Sequence, residues 1–221
     1  MPISVGGFLP TTTVDYPGKL AAVVFTNGCP WNCYYCHNRH LLNSGISQIS
    51  WQEVVATLEK RKNLLDGVVF SGGEPTLQKG LLLAFDQIKD MELEIALHSG
   101  GGLPEIFKET IKHCDWVGMD IKADIDDYEQ ITQTQNSGES AYQSLNYLLD
   151  SGVEYEIRTT IDSNFFTNDK IISMATNLKK LGVKHYALQI ARKENRELYN
   201  IKKDDDICRK LEEMFETFTL R

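Results

Sequence analysis

From Lys19 onward the chain alternates between short β-rich runs and helical patterns, and this alternation limits the fold more than anything else in the sequence. The β-rich runs are Leu20–Thr26, Gly67–Ser71, Leu93–His98, Asp115–Lys122, Val153–Ile161 and Lys184–Ile190. Helical stripes follow at about Trp51–Asn63, Leu77–Lys89, Pro104–His113, from Ala141 through Leu145, Leu148 and Leu149, and at Asn168–Leu181. Ser50 and Glu53 form a capping box ahead of the first of these. A last helix is expected over about Asp205–Thr219, with Ile207, Leu211, Met214, Phe215 and Phe218 on one face. Strict strand–helix alternation implies a parallel sheet with right-handed crossovers. Eight such units would close a full barrel. Six imply an open partial (β/α)6 barrel of α/β class, and a flat doubly wound sheet is the alternative. Residues 1–221 read as one domain, with 1–18 an N-terminal edge segment and 19–221 the six units. Within the polar stretch Ala123–Ser140, Gln130–Ser140 reads as a long polar loop, either functional or mobile.

Side chains alternate faces along a strand. Val117, Met119 and Ile121 face one way, and Trp116, Gly118, Asp120 and Lys122 the other. In the next strand Glu154, Glu156 and Arg158 oppose Val153, Tyr155 and Ile157. In the last, His185, Ala187 and Gln189 oppose Tyr186, Leu188 and Ile190. Parallel sheets are seldom exposed on one side, so a polar face suggests a cleft for a charged ligand.

Cys29, Cys33 and Cys36 follow the first predicted strand in a C-x3-C-x2-C spacing. They sit at its C-terminal end, where parallel α/β folds place their sites. Three thiolates are one short of the usual set for a [4Fe–4S] cluster, which leaves one iron open to a ligand. A structural zinc site is the alternative, with His37 or His40 as fourth ligand. Ser71-Gly72-Gly73-Glu74-Pro75 ends the second predicted strand. Its two glycines remove side chains where a ligand would approach the backbone. Asp120 and Lys122 point one way at the end of the fourth. Arg158 and Gln189 have the parity to line the same cavity, and Arg192 lies just beyond. His98-Ser99-Gly100-Gly101 ends the third. Pro17-Gly18 suits a type II turn before the first strand. Cys114 and Cys208 are isolated and read as small buried apolar residues.

The net charge of −8, from 23 basic and 31 acidic residues, argues against nucleic acid as a partner. No apolar run approaches a membrane span. Five cysteines, three of them clustered, do not make a secreted disulfide framework. A cytoplasmic location is expected.

Taken together, Thr13–Lys19, the cysteine triad with its Cys-His-Asn ending, Ser-Gly-Gly-Glu-Pro and Met-Asp-Ile-Lys resemble one family over nearly the whole chain. It is the radical S-adenosylmethionine (SAM) activases of glycyl radical enzymes, most of all the activating protein of anaerobic ribonucleoside-triphosphate reductase. The resemblance implies a [4Fe–4S] cluster on Cys29, Cys33 and Cys36, whose open iron chelates the amino and carboxylate groups of SAM. It implies SAM contacts at Tyr35, His37, Gly72, Gly73, Glu74, Ser99, Asp120, Lys122, Arg158 and Gln189, and a substrate contact at Asp15. Flavodoxin or ferredoxin would reduce the cluster. One electron would break the C5′–S bond, and the 5′-deoxyadenosyl radical would take hydrogen from a glycine of the partner enzyme. His98 stands where activases carry a carboxylate. Two other readings are a radical SAM enzyme acting on a small molecule, similar to 7-carboxy-7-deazaguanine synthase, and a non-catalytic zinc-binding module.

Overall fold

The computed structural model describes residues 3–43, 47, 49–193 and 196–221. The strands that match the six expected runs are β2 (Ala21–Thr26), β3 (Gly67–Gly72), β4 (Glu94–Ser99), β5 (Trp116–Asp120), β6 (Glu154–Ile161) and β7 (His185–Ile190). They lie in one sheet in sequence order, each parallel to the next. The winding never reverses. Successive right-handed crossovers in one direction put every helix on the same face of the sheet. That excludes the doubly wound alternative, in which the strand order turns back at a switch point. The two end strands do not pair with each other, so the barrel stays open.

Two strands extend this sheet beyond expectation. β1 (Val5–Thr12) pairs antiparallel with β2, inside what reads from sequence as an edge segment. Its two glycines and Pro10 depress β-propensity. An edge strand tolerates the proline, which sits in a break of register between Leu9 and Thr12. At the other edge, β10 (Thr217–Leu220) adds parallel to β7. The last helix, α7 (Asp206–Met214), is therefore shorter than its apolar stripe. Phe215 already has extended backbone, and Phe218 belongs to the strand. A short hairpin, β8 (Arg192–Lys193) with β9 (Arg196–Glu197), lies between β7 and α7.

Helices α1 (Trp51–Glu59), α2 (Leu81–Lys89), α3 (Pro104–Ile111), α5 (Ser137–Ser151) and α6 (Asn168–Lys180) match the expected stripes. The Ser50–Glu53 capping box at α1 is formed in both directions. The polar stretch 123–140 is mostly helical, and of the loop expected over 130–140 only 133–136 lies outside a helix. It holds a 3-10 turn over Ile125–Asp127 and then α4 (Tyr128–Thr132). Gln133 and Asn136 in the left-handed region end α4 and start α5.

The apolar residues form two clusters that divide along the strand alternation. The larger lies between sheet and helices and includes Val68, Phe70, Leu97, Val117, Met119, Ile157 and Leu188 from the strands. The smaller lies on the concave face: Ala21, Val23, Val69, Ala96 and Trp116, closed over by Tyr16. Tyr16 and Trp116 rings sit 5.7 Å apart. The Tyr16 hydroxyl and Lys19 ammonium both reach Glu94, each at 2.7 Å. The Pro17-Gly18 turn is the expected type, with Gly18 at φ 72° and Lys19 N–H donating to Tyr16 C=O. Thus residues 13–19 do not trail along an edge. They turn inward and plug the concave face near the N-terminal ends of the strands, leaving its polar residues at the C-terminal ends.

Candidate active site

At the C-terminal rim lies a cleft open to solvent. All the residues expected in the site line it, except Gln189 and Asp15. The cysteine loop leaves β2 and is tied on three sides. Asn32 and Tyr34 N–H donate to the C=O groups of Thr132 and Ile131 at the end of α4. The Tyr34 hydroxyl donates to Asp162 at 2.6 Å. Arg39 donates to Tyr34 C=O at 2.8 Å. The stretch that read as a polar loop is thus a platform for the cysteines. Trp31 locks the loop from the far side. A Cβ on Gly100 would stand 2.4 Å from its indole, so the glycine run after β4 is the slot that receives this ring.

The glycines of the Gly72-Gly73-Glu74 turn have a packing reason besides the expected ligand approach. A Cβ on Gly73 would lie 2.0 Å from Gly28 C=O. Gly72 has φ 112° and faces Thr26 backbone. Gly73 N–H donates to Thr26 C=O at 2.9 Å and Glu74 N–H to Gly28 C=O at 2.8 Å. The glycines let this turn close on the entry to the cysteine loop. With those two N–H groups engaged, the turn has carbonyl oxygens to offer a ligand, which suit an ammonium group. The Glu74 carboxylate is buried and accepts four hydrogen bonds, from Thr76 N–H and Oγ1, Ser99 Oγ and Gly100 N–H. It braces β3's exit to β4's. Burial nevertheless pushes its pKa above the ordinary range. Ser99, spent on Glu74, shares that bracing role.

Asp120 sits between two cations. Arg158 Nε donates to it at 3.1 Å, and Lys122 Nζ is 3.5 Å away. Burial alone would raise its pKa, but Lys122 and Arg158 outweigh burial and hold it below the usual range. Arg158 Nη2 donates to Gly118 C=O at 3.0 Å. A Cβ on Gly118 would lie 2.7 Å from the guanidinium carbon, so that glycine makes room for the arginine. His98 Nε2 is 2.8 Å from Asp15 C=O and must donate there. Burial, helped by Arg158, pushes its pKa down to about 3, so the ring is neutral. Around Asp120 two cations thus face one carboxylate, a local excess of positive charge that suits an anionic group.

Asp15 itself stands below the cleft. Its carbonyl holds His98, and its carboxylate accepts from Thr12 Oγ1 at 2.6 Å. Gln189 stands beside Thr160, its register partner on the next strand, with the Thr160 hydroxyl 3.5 Å from Gln189 Oε1. Thr160 takes the lining position, and the parity that found Arg158 also finds it two residues on. Ser71, Trp31, Asn38 and His98 line the cleft as well. His37 lines it, whereas His40 lies in a separate hollow beside Gly6 and Phe25.

An open barrel with three thiols and a glycine turn on one rim defines a site of the radical SAM type. The family model described as the radical SAM superfamily matches residues 23–163. A Methanocaldococcus jannaschii protein that bears the name of a glycyl-radical enzyme activating enzyme is 29% identical over 192 residues, 84% of this chain and 78% of that one. The pyruvate formate-lyase-activating enzyme of Clostridium pasteurianum is 32% identical over 174 residues, 76% of this chain and 72% of that one. The chain therefore belongs to the radical SAM superfamily and, within it, to the family of glycyl-radical-enzyme activating enzymes. Solved structures show the same fold. Streptococcus suis SuiB bound to S-adenosylmethionine has a TM-score of 0.63 at 12% identity, over 87% of this chain and 47% of that one. The chain thus spans about half the length of that structure. TYW1 with a lysine-pyruvate adduct has a TM-score of 0.66 at 16% identity, over 87% of this chain and 73% of that one.

Membership makes this an enzyme with a [4Fe–4S] cluster and SAM as cofactors. The residues present fit both. The Tyr35 hydroxyl is buried beside the cysteines without a hydrogen-bond partner, an unmet group of the kind a ligand satisfies. Burial pushes the Cys29 thiol up to about 12 and raises Cys33, so metal binding must release their protons. Among the described residues, no helix is long and apolar enough to cross a membrane.

Proposed function

We propose that the chain activates anaerobic ribonucleoside-triphosphate reductase, or a related glycyl radical enzyme, as one radical SAM domain acting in the cytoplasm. One observation carries the reading: the cysteine triad, the Gly72–Glu74 turn and the Asp120–Lys122–Arg158 cluster line a single cleft on one rim.

When bound, the cluster and SAM would supply one-electron cleavage of the C5′–S bond and hydrogen-atom abstraction from a backbone glycine. The chain's own residues bind and orient. Cys29, Cys33 and Cys36 hold three irons. The carbonyls of the Gly72–Glu74 turn accept from the methionine ammonium, and Lys122 and Arg158 attract its carboxylate. Tyr35 and neutral His98 offer further polar atoms without adding charge. The unclosed sheet leaves room for a protein loop, a larger guest than a metabolite. Flavodoxin or ferredoxin supplies the electron.

The test is anaerobic incubation of the reconstituted protein with SAM, a reductant and the reductase. Electron paramagnetic resonance should then show a glycyl doublet on the reductase. A doublet on no glycyl radical enzyme, with SAM still cleaved, would sink the proposal and favour a small-molecule substrate.

A further inference from the structure

A second hollow borders the active cleft. It shares Tyr35, Cys36 and His37 with the cleft and is otherwise walled by Tyr34, Arg39 and Arg192, among others. These three shared residues form the partition. The hollow therefore reaches Cys36 from the side away from the Gly72–Glu74 turn and the Asp120 cluster. We propose that this hollow is the electron entry port, and that a small acidic one-electron carrier protein docks on it. The proposal rests on the reading of the cleft as a radical SAM site.

Three features argue for that occupant. First, an electron delivered at Cys36 by this route does not cross the space where SAM and the peptide substrate sit. Second, among the described residues of the wall the exposed charges are cationic. Arg39 and Arg192 are exposed, and Arg192 pairs with exposed Glu197 at 3.1 Å, a surface pair of little worth that a partner can replace. Asp162, the one carboxylate among the described residues of the wall, is fully buried, and its oxygens accept from Tyr34 Oη and Asn164 N–H. Third, the chain carries a net charge of −8. An acidic partner is repelled by such a surface in general and needs a local cationic patch to find its orientation. The step balances simply: the carrier loses one electron, the cluster gains it, and no proton moves.

The test uses the reconstituted holoprotein and a photoreduced acidic flavodoxin. Bleaching of the cluster absorbance gives the reduction rate, and titration with oxidised flavodoxin gives its affinity. Arg192→Glu and Arg39→Glu should each weaken flavodoxin affinity and slow bleaching about tenfold. Added salt should slow the wild type steeply and the variants less. SAM cleavage driven by dithionite should be unchanged in Arg192→Glu, which makes no hydrogen bond to the cysteine loop. Unchanged flavodoxin affinity and rate in both variants would overturn the proposal. So would a rate that rises with salt. Wild-type protein that fails to cleave SAM even with dithionite would instead refute the underlying reading of the cleft.

Discussion

Replacing Gly73 by alanine separates two reasons for a glycine at an active site. If the residue serves only ligand approach, the ligand-free chain should not notice the methyl group. The structure says otherwise, because the new Cβ would stand 2.0 Å from Gly28 C=O and 2.7 Å from its carbon. Both neighbours are backbone, so no side chain can swing aside. Relief requires the turn to withdraw from the cysteine loop, stretching Gly73 N–H to Thr26 C=O and Glu74 N–H to Gly28 C=O. Overpacking costs about 1–3 kcal/mol, and each weakened hydrogen bond adds about 1 kcal/mol. A loss of about 3–5 kcal/mol is expected, which for a chain of this size lowers Tm by roughly 6–20 °C. Gly18→Ala is the control. Gly18 also has positive φ, but nothing stands within 4 Å of its would-be Cβ, so only about 1 kcal/mol of backbone strain is at stake. The assay is thermal and urea unfolding of the metal-free, reduced protein. A Gly73→Ala chain as stable as Gly18→Ala, with only SAM binding impaired, would refute the backbone argument.

Tyr35→Phe removes a buried hydroxyl that has no partner. It should stabilise the metal-free chain by about 1 kcal/mol in urea unfolding, while weakening SAM binding to the loaded protein. His98 takes up protons on unfolding, because its pKa of about 3 in the fold lies below the ordinary 6.5. The unfolded chain then binds more protons between these values, so stability is lost as pH falls below about 6.5, by up to about 1.4 kcal/mol per pH unit from this group. Unfolding at pH 7, 6 and 5 should show that slope, and His98→Gln should reduce it. Cys29→Ala, Cys33→Ala and Cys36→Ala should each abolish SAM cleavage, measured as 5′-deoxyadenosine, whereas Cys208→Ala, at a fully buried position on α7, should not. Equal loss in all four would contradict the assignment.

The parallel sheet was legible because its six inner strands carry two kinds of information at once, β-rich composition and a face alternation that survives in the two clusters. The two outer strands carry only one. β1 is diluted by Gly6, Gly7 and Pro10, and leading into β10 the Leu211, Phe215 and Phe218 spacing mimics continuation of a helix that has already ended at Met214. The short α4 hides for another reason. Its buried residues, Tyr128, Ile131 and Thr132, do follow helical spacing, but over barely more than one turn among polar neighbours. At the site, spacing and parity located the cysteines, Asp120, Lys122 and Arg158. They could not reveal what each glycine faces. Gly73 against Gly28, Gly100 against Trp31 and Gly118 against Arg158 are contacts between distant parts of the chain. For the same reason Gln189 reads as a lining residue, whereas its register partner Thr160 takes that place.

The most direct measurement is the fate of SAM itself. Oxygen-free protein loaded with iron and sulfide, then given dithionite and SAM, should turn over to methionine and 5′-deoxyadenosine in equal amounts. Protein that binds a full cluster yet returns SAM intact would contradict the account at its root.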